Sequence, residues 1–201
     1  MEISIQGETV SIGGVPISIG NVELSKLSSV VLQAEVLISR GRTDEGLLVK
    51  CVVPAWVEII RLIEKDPNAL YQIDPRKLEE IIAGAYDMAG FEDVTLTPRS
   101  SDLGRDVIAV KRGIGTVRII DQVKAFSPGH LVTANDVRAL AGILEPDGAA
   151  KGFVTTTSDF APKIQEDDLL KFWFERGRIE LINGTRLTDR LKELVGGSES
   201  N

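Results

Sequence analysis

From Asp74 to Val195 the chain alternates helical and strand-like segments in an order that few architectures accept. Asp74 suits a helix N-cap and Pro75 a first helical residue. The run RKLEEIIAGAYDMA then places Leu78, Ile81, Ile82, Ala85 and Ala89 on one stripe, with Gly90 at the C-terminal stop. Three strand-like runs follow: DVTLTP (93–98), GRDVIAV (104–110) and TVRIIDQVK (116–124). TANDVRALAGIL (133–144) reads as a helix with a capping-box-like start at Thr133 and Asp136 and with Val137, Leu140, Ala141 and Leu144 inward. GFVTTT (152–157) reads as a buried strand, roughly 160–174 as a helix, RIELI (178–182) as a strand and RLTDRLKELV (186–195) as a closing amphipathic helix. The order αβββαβαβα predicts an α/β domain.

Residues 1–50 read differently. ISI (3–5), VSI (10–12) and PISI (16–19) are short runs punctuated by glycine, and SVVLQAEVLIS (29–39) and LLVKCVV (47–53) extend the β pattern. AWVEIIRLIEKD (55–66) has helical spacing at Trp56, Ile59, Ile60 and Ile63, and PNALYQID (67–74) resembles a linker. The expected division is a β-rich recognition or assembly domain over 1–70, a second domain over 71–196 and a loose tail over 197–201.

With 43% hydrophobic and 26% charged residues, the chain describes a globular protein with a substantial core. No apolar run approaches the roughly 18 to 20 residues needed to span a bilayer, and no basic stretch followed by an apolar one opens the sequence, so a cytoplasmic, membrane-free protein is expected. The single cysteine, Cys51, excludes a disulfide framework and a cysteine-rich zinc site, and its apolar neighbours predict an inert buried thiol. A net charge of −7 excludes nucleic-acid coating by charge alone. Between Arg99 and Lys124, however, six basic residues face three acidic ones, so the acidic excess lies elsewhere.

The two runs 104–110 and 116–124 are joined by the turn-like KRGIG (111–115), which predicts a hairpin. Its open end brings Asp106 opposite the end of TVRIIDQVK, where strand alternation puts Gln122 and Lys124 on one face and Val123 on the other. A carboxylate, an amide oxygen and an ammonium at one sheet end suit a divalent cation and a phosphate. In that reading Asp106, Gln122 and the Val123 carbonyl are metal-ligand candidates and Lys124 faces the attacking water or the phosphate. Glu79, beside the apolar stripe of the first helix, is a candidate third ligand. Lys111 and Arg112 in the basic turn, and His130 in the loop SPGHLVT (127–133), are candidate DNA contacts. For each of these residues, an ordinary turn, strand-cap or solvated role is the alternative.

LEEIIAGAYDMAGF (78–91), TPRSSDLGRDVIAV (97–110), DQVK (121–124), GFVTTTSDFAP (152–162) and LINGTRL (181–187) together resemble the catalytic domain of Mrr-type restriction endonucleases, in the PD-(D/E)xK nuclease superfamily. The resemblance covers about 75–195. It implies a restriction-endonuclease-like αβββαβ core, a mixed central sheet flanked by helices, behind a small β-rich N-terminal domain. It implies Asp106 as the acidic ligand, Gln122 where many relatives carry Glu or Asp, Lys124 as the catalytic lysine and Glu79 as the helix carboxylate. Gln at that position is common among Mrr-like enzymes. Arg105 departs from the small or aliphatic residue usual there, and pairing with Asp121 would accommodate it. The implied function is a Mg2+-dependent (or Mn2+-dependent) endodeoxyribonuclease acting on double-stranded DNA, in restriction of foreign and possibly methylated DNA, with a homodimer to cut both strands. The alternatives are an inactive nuclease-fold DNA-binding module and a repair or junction-resolving nuclease.

Overall fold

A computed structural model describes residues 3–6, 9–12, 15–18, 24–98 and 104–196, and it divides into two compact units, 1–34 and 35–201. In the first, β1 (Ile3–Gln6), β2 (Thr9–Ile12) and β3 (Val15–Ser18) form an antiparallel three-stranded sheet, followed by α1 (Leu24–Gln33). The run 29–39, expected as one strand, is therefore split: its first half completes α1 and its second half enters β4 (Leu37–Thr43). Strict alternation fails across it, since Val30 is exposed while Leu32 and Val36 are buried.

The larger unit is built on a seven-stranded sheet in the order β10-β9-β8-β7-β6-β5-β4. Its strands are β4, β5 (Gly46–Cys51), β6 (Asp93–Leu96), β7 (Val107–Arg112), β8 (Thr116–Lys124), β9 (Lys151–Thr156) and β10 (Ile179–Ile182). From β4 to β8 neighbours are antiparallel, while β8, β9 and β10 are parallel. The helices are α2 (Val53–Lys65), α3 (Pro75–Met88), α4 (Ala134–Leu144), α5 (Lys171–Glu175) and α6 (Gly184–Gly196). This is the restriction-endonuclease-like mixed sheet with flanking helices that the sequence implied.

Three expectations change. The boundary expected at residue 70 falls inside the larger unit, because β5 pairs with β6 through Leu47↔Leu96 and Leu48↔Thr95 and so joins β4 and β5 to the sheet. The supposed linker 67–74 is instead a 3-10 turn, Pro67–Gln72, with Ala69, Leu70 and Ile73 buried. The helix expected over 160–174 is a short 3-10 turn, Ile164–Glu166, and then α5. Lys163 takes a left-handed φ of 63° and Asp167 accepts the Leu169 N–H at 3.1 Å, so the backbone turns twice before it can helix. The tail expected at 197–201 lies outside the described residues.

Asp74 accepts the Arg76 N–H at 2.8 Å and caps α3, whose Leu78, Ile81, Ile82 and Tyr86 are buried. α3 packs along β5 to β8 and beside α2 and α6. Each such side chain contributes about 1.5–3 kcal/mol by leaving water, so the stripe fixes α3 against the sheet. The other face belongs to α4: Val137, Leu140 and Leu144 pack with Ile120 of β8 and Val154 of β9. Strand alternation then sends Gln122 and Lys124, which share parity with Ile120, toward α4, and sends Asp121 toward α3. The Tyr86 hydroxyl of α3 indeed donates to Asp121 Oδ2 at 3.0 Å. No helix among the described residues is long and apolar enough to cross a membrane. Cys51 is buried against Asp87, and burial pushes its thiol up to about 12, which matches the inert role expected of it.

Candidate functional site

The predicted hairpin forms with Arg112↔Thr116 at its closed end and Val107↔Asp121 at its open end. One step further, the Asp106 N–H donates to the Asp121 carbonyl at 3.2 Å and the Asp106 carbonyl accepts the Thr97 N–H at 3.2 Å. Asp106 is thus pinned between β6 and β8. Its Oδ2 accepts the Val123 N–H at 2.6 Å, a charge-assisted bond that fixes the carboxylate across the end of β8. Because a strand residue's N–H and C=O leave by the same edge, the Val123 carbonyl lies on the Asp106 side.

Asp106, Gln122, Val123 and Lys124 line one cleft of about 360 Å³ together with Gly104 and three residues of α4, Asn135, Asp136 and Ala139. Gly104 has φ 84°, and a Cβ there would stand 2.8 Å from Gln122 Nε2. Glycine at 104 therefore lets the backbone turn into β7 and leaves room for the amide. Lys124 closes the other side, its Nζ 3.8 Å from Asp136 Oδ1. Its carbonyl accepts the Thr156 hydroxyl at 2.7 Å and the Thr157 N–H at 3.3 Å, so the threonine-rich β9 locks the strand end that carries the lysine.

Asp136 serves two structures at once. It accepts from the Thr133 N–H at 2.9 Å and the Thr133 hydroxyl at 2.7 Å as the capping box of α4, and it faces Lys124. Burial raises its carboxyl, but the Thr133 donors and the Lys124 charge outweigh this and hold it below the usual carboxylate range. Sequence reading found the cap but not its place in the cleft. The signal was available: a strand followed by a helix and a parallel strand returns the start of the helix to the end of the first strand.

An oxygen-rich set suits a hard cation such as Mg2+. Gln122 is 3% exposed, and its Oε1 has no hydrogen-bond donor among the described residues. A buried amide oxygen left without a donor costs free energy, and a cation held with Asp106 and the Val123 carbonyl would satisfy it. Among the described residues no group of three or more His, Cys, Asp and Glu is placed to hold a metal. The oxygen donors gathered beside Gln122 Oε1 are the Asp106 carboxylate and the Val123 carbonyl, while Asp136, on the same lining, faces Lys124.

The other expected residues lie outside this cleft. Glu79 is not among the residues lining it. Arg76 Nη1 donates to Glu79 at 2.5 Å and to the Thr97 carbonyl at 2.9 Å, which ties the glutamate to α3 and the end of β6. Lys111 and Arg112 stand at the closed end of the hairpin, roughly 17 Å of strand from Asp106. There Arg112 pairs with Asp93 at 2.5 Å, and Lys111 lies 5.8 Å from the Phe91 ring centroid. His130 stacks on Phe126, with centroids 4.1 Å apart and planes 13° from parallel, in the segment that leaves Lys124. Arg105 does not pair with Asp121. It pairs with Asp147 at 2.8 Å, while Asp121 is buried on the opposite face of the sheet from the cleft. Burial pushes Asp121 up to about 6, against the Thr155 and Tyr86 hydroxyls and the charge of Arg190.

A mixed sheet with helices on both faces and a carboxylate, amide and lysine at its end defines the restriction-endonuclease-like class of fold. The chain belongs to the Mrr catalytic-domain family of restriction endonucleases, whose sequence model matches residues 70–191. It is 35% identical over 101 residues to the uncharacterized protein y4cE of Sinorhizobium fredii, covering 50% of this chain and 22% of that protein. Among solved structures it is similar to the MspJI restriction endonuclease in complex with a 27-mer oligonucleotide, with TM-score 0.41, 17% identity and coverage of 73% of this chain and 33% of that one. It is also similar to the DNA modification-dependent restriction endonuclease AspBHI, with TM-score 0.40, 17% identity and coverage of 73% and 39%. The chain thus spans well under two thirds of each of these proteins.

Proposed function

We propose that this protein is a divalent-metal-dependent endonuclease that hydrolyses phosphodiester bonds in double-stranded DNA, with restriction of foreign DNA as its role. The observation that carries this reading is the buried Gln122 Oε1, without a donor among the described residues, beside the pinned Asp106 carboxylate, with Lys124 across the same cleft. Family membership supports the chemistry.

Asp106, Gln122 Oε1 and the Val123 carbonyl would hold Mg2+ or Mn2+, with water and phosphate oxygens completing the shell. When bound, the ion supplies Lewis acidity at a non-bridging phosphate oxygen and a more acidic water. Lys124 donates from Nζ to the attacking water or the phosphate and offsets the negative charge that develops on the phosphoryl group. Asp136 holds the ammonium over the cleft before DNA arrives. Asp106 keeps its orientation because the Val123 N–H anchors one of its oxygens. Glu79, held by Arg76, supports the helix and strand junction and stands outside the ligand set. One cleft per chain cuts one strand, so a double-strand break calls for two copies, arranged as a homodimer. The unit 1–34 is the segment available for recognition or assembly.

Nicking of supercoiled plasmid tests the reading. The protein should cleave with Mg2+ and lose cleavage in excess chelator. Asp106→Ala and Lys124→Ala should each lose roughly 100-fold or more in rate, the scale on which single electrostatic catalytic groups act. Undiminished cleavage by either variant would remove this cleft from the reaction. Plasmids with and without cytosine methylation, compared in the same assay, decide whether modified DNA is preferred.

A further inference from the structure

The parallel strands β8, β9 and β10 all end at one edge of the sheet, in register at Lys124↔Thr156 and Ile182↔Thr155. The cleft of Asp106 and Lys124 opens at the end of β8. A second cleft, of about 380 Å³, opens beyond the ends of β9 and β10, lined by the cations Lys163 and Arg186, the amide of Gln165 and an apolar wall of Phe160, Ile164 and Leu181. Neighbouring strands are about 4.8 Å apart, so the two clefts are offset by roughly 10 Å along the sheet edge. A DNA strand advances about 3.4 Å per nucleotide along the duplex axis, which makes the offset about three nucleotide steps.

The ground between the clefts is continuous. Leaving Lys124, the chain carries the stacked pair Phe126 and His130, with the Phe126 carbonyl held by the Thr157 hydroxyl at 2.7 Å. It then crosses to bridge Val132 with Phe160, where the Ala161 N–H donates to the Val132 carbonyl at 2.8 Å. Phe160 and Ala161 are walls of the second cleft. One ordered strip therefore runs from the lysine of the first cleft, past an aromatic stack, to the cations of the second.

We infer that the second cleft is a flanking-nucleotide subsite, in which Lys163 and Arg186 hold a backbone phosphate of the DNA about three nucleotides from the bond cut in the first cleft, while Phe160, Ile164 and Leu181 face its sugar. The cations are placed for this work. Arg186 is 59% exposed, and among the described residues its ion pair is with Glu180 at 4.0 Å, the limit for such a contact. Lys163 is exposed at the tip of its left-handed turn. Glu166, on the same lining, keeps the cleft only weakly positive without DNA, and Gln165 offers an additional donor. Phosphate contacts of this kind set register along the strand and carry no sequence information. The subsite gives a protein of net charge −7 a local cationic hold on a polyanion: Lys124 in the first cleft and Lys163 and Arg186 in the second.

The inference rests on the proposed nuclease function, and the test separates the two. Binding of a short fluorescein-labelled DNA duplex is measured by anisotropy in Ca2+ over a salt series, for the full chain, for Lys163→Asn with Arg186→Gln, for the charge-keeping Lys163→Arg with Arg186→Lys, and for Arg61→Ala with Lys65→Ala on α2. Asparagine is chosen at 163 because it tolerates a left-handed φ. Loss of two phosphate contacts should weaken Kd about tenfold and reduce the salt slope by about 2. The charge-keeping pair should restore both, and the α2 pair should change neither. An unchanged Kd and slope in the charge-removing pair, or an equal loss in the α2 pair, would overturn the subsite. So would binding of a free mononucleotide that depends on Lys163 and Arg186 while duplex binding does not. Duplex binding that depends on both residues in a protein that cleaves no DNA would uphold the subsite and defeat the nuclease function.

Discussion

Replacing Gln122 by Met asks the cleft to choose between stability and metal. Gln122 is 3% exposed and its Oε1 has no donor among the described residues. Leaving such an oxygen buried costs about 1–3 kcal/mol. Methionine has a similar length and no hydrogen-bonding demand, so it fits beside Gly104 and relieves most of that cost. After the lost contacts of the amide N–H group, a net gain of about 1 kcal/mol remains, which for a domain of this size raises Tm by roughly 2–4 °C in chelator. Metal reverses the order. A ligand at about 100 times its Kd stabilises the native state by about 2.7 kcal/mol, so the unsubstituted protein should gain roughly 5–10 °C in saturating Mg2+. Gln122→Met should gain much less, and it should nick no plasmid. Scanning fluorimetry in chelator and across a Mg2+ titration measures both halves. If Gln122→Met melts below the unsubstituted protein in chelator and still shows its full Mg2+ shift, the amide oxygen is not a ligand awaiting a cation and the argument from its burial is wrong.

Two further substitutions probe the frame around the cleft. Gly104→Ala places a Cβ 2.8 Å from Gln122 Nε2 at a φ of 84°, which costs about 1–2 kcal/mol in backbone strain and displaces the amide. Activity should fall far more than the few degrees lost in Tm, and equal plasmid nicking by this variant would count against the role of Gln122. Asp121→Asn tests the buried acid behind the site. Its carboxyl sits at about 6 rather than the ordinary 3.8, so between those values the native state binds more protons than the unfolded chain. Stability from this group is therefore fully present below about pH 4 and lost as pH rises through 6, a loss of about 3 kcal/mol at 1.36 kcal/mol per unit. Urea unfolding between pH 4 and 7 should show that decline in the unsubstituted protein and a flatter profile in Asp121→Asn, and parallel profiles would refute it.

Local chemistry made much of this protein readable. The hairpin of β7 and β8 is contiguous in sequence, and the period of 2 alone put Gln122 and Lys124 on one face with Asp106 opposite. The caps at Asp74 and at Thr133 with Asp136 marked the starts of α3 and α4 because capping is satisfied within a few residues. Non-local partners were not readable in this way. Whether β5 joins the main sheet depends on two register pairs with β6, almost 50 residues away, and nothing within 46–51 records that choice. Glu79 looked able to reach the cleft, but it pairs with Arg76, three residues back on its own helix, and Arg76 in turn reaches Thr97. Asp147, far along the chain from Arg105, took the pairing expected of Asp121, which burial had committed to Tyr86.

From α3 to α6 the order of elements, the face polarity of β7 and β8 and the identity of the hairpin residues were determined by the sequence itself, since each follows from φ/ψ preference and side-chain period over a handful of residues. The gathering of Asn135 and Asp136 beside Lys124, the burial of Gln122 Oε1 without a donor among the described residues and the second cleft at Lys163 and Arg186 were decided by tertiary structure alone. Their physical cause is the packing of α4 and α6 against a sheet whose parallel strands end at a common edge, which assembles groups that no local rule connects.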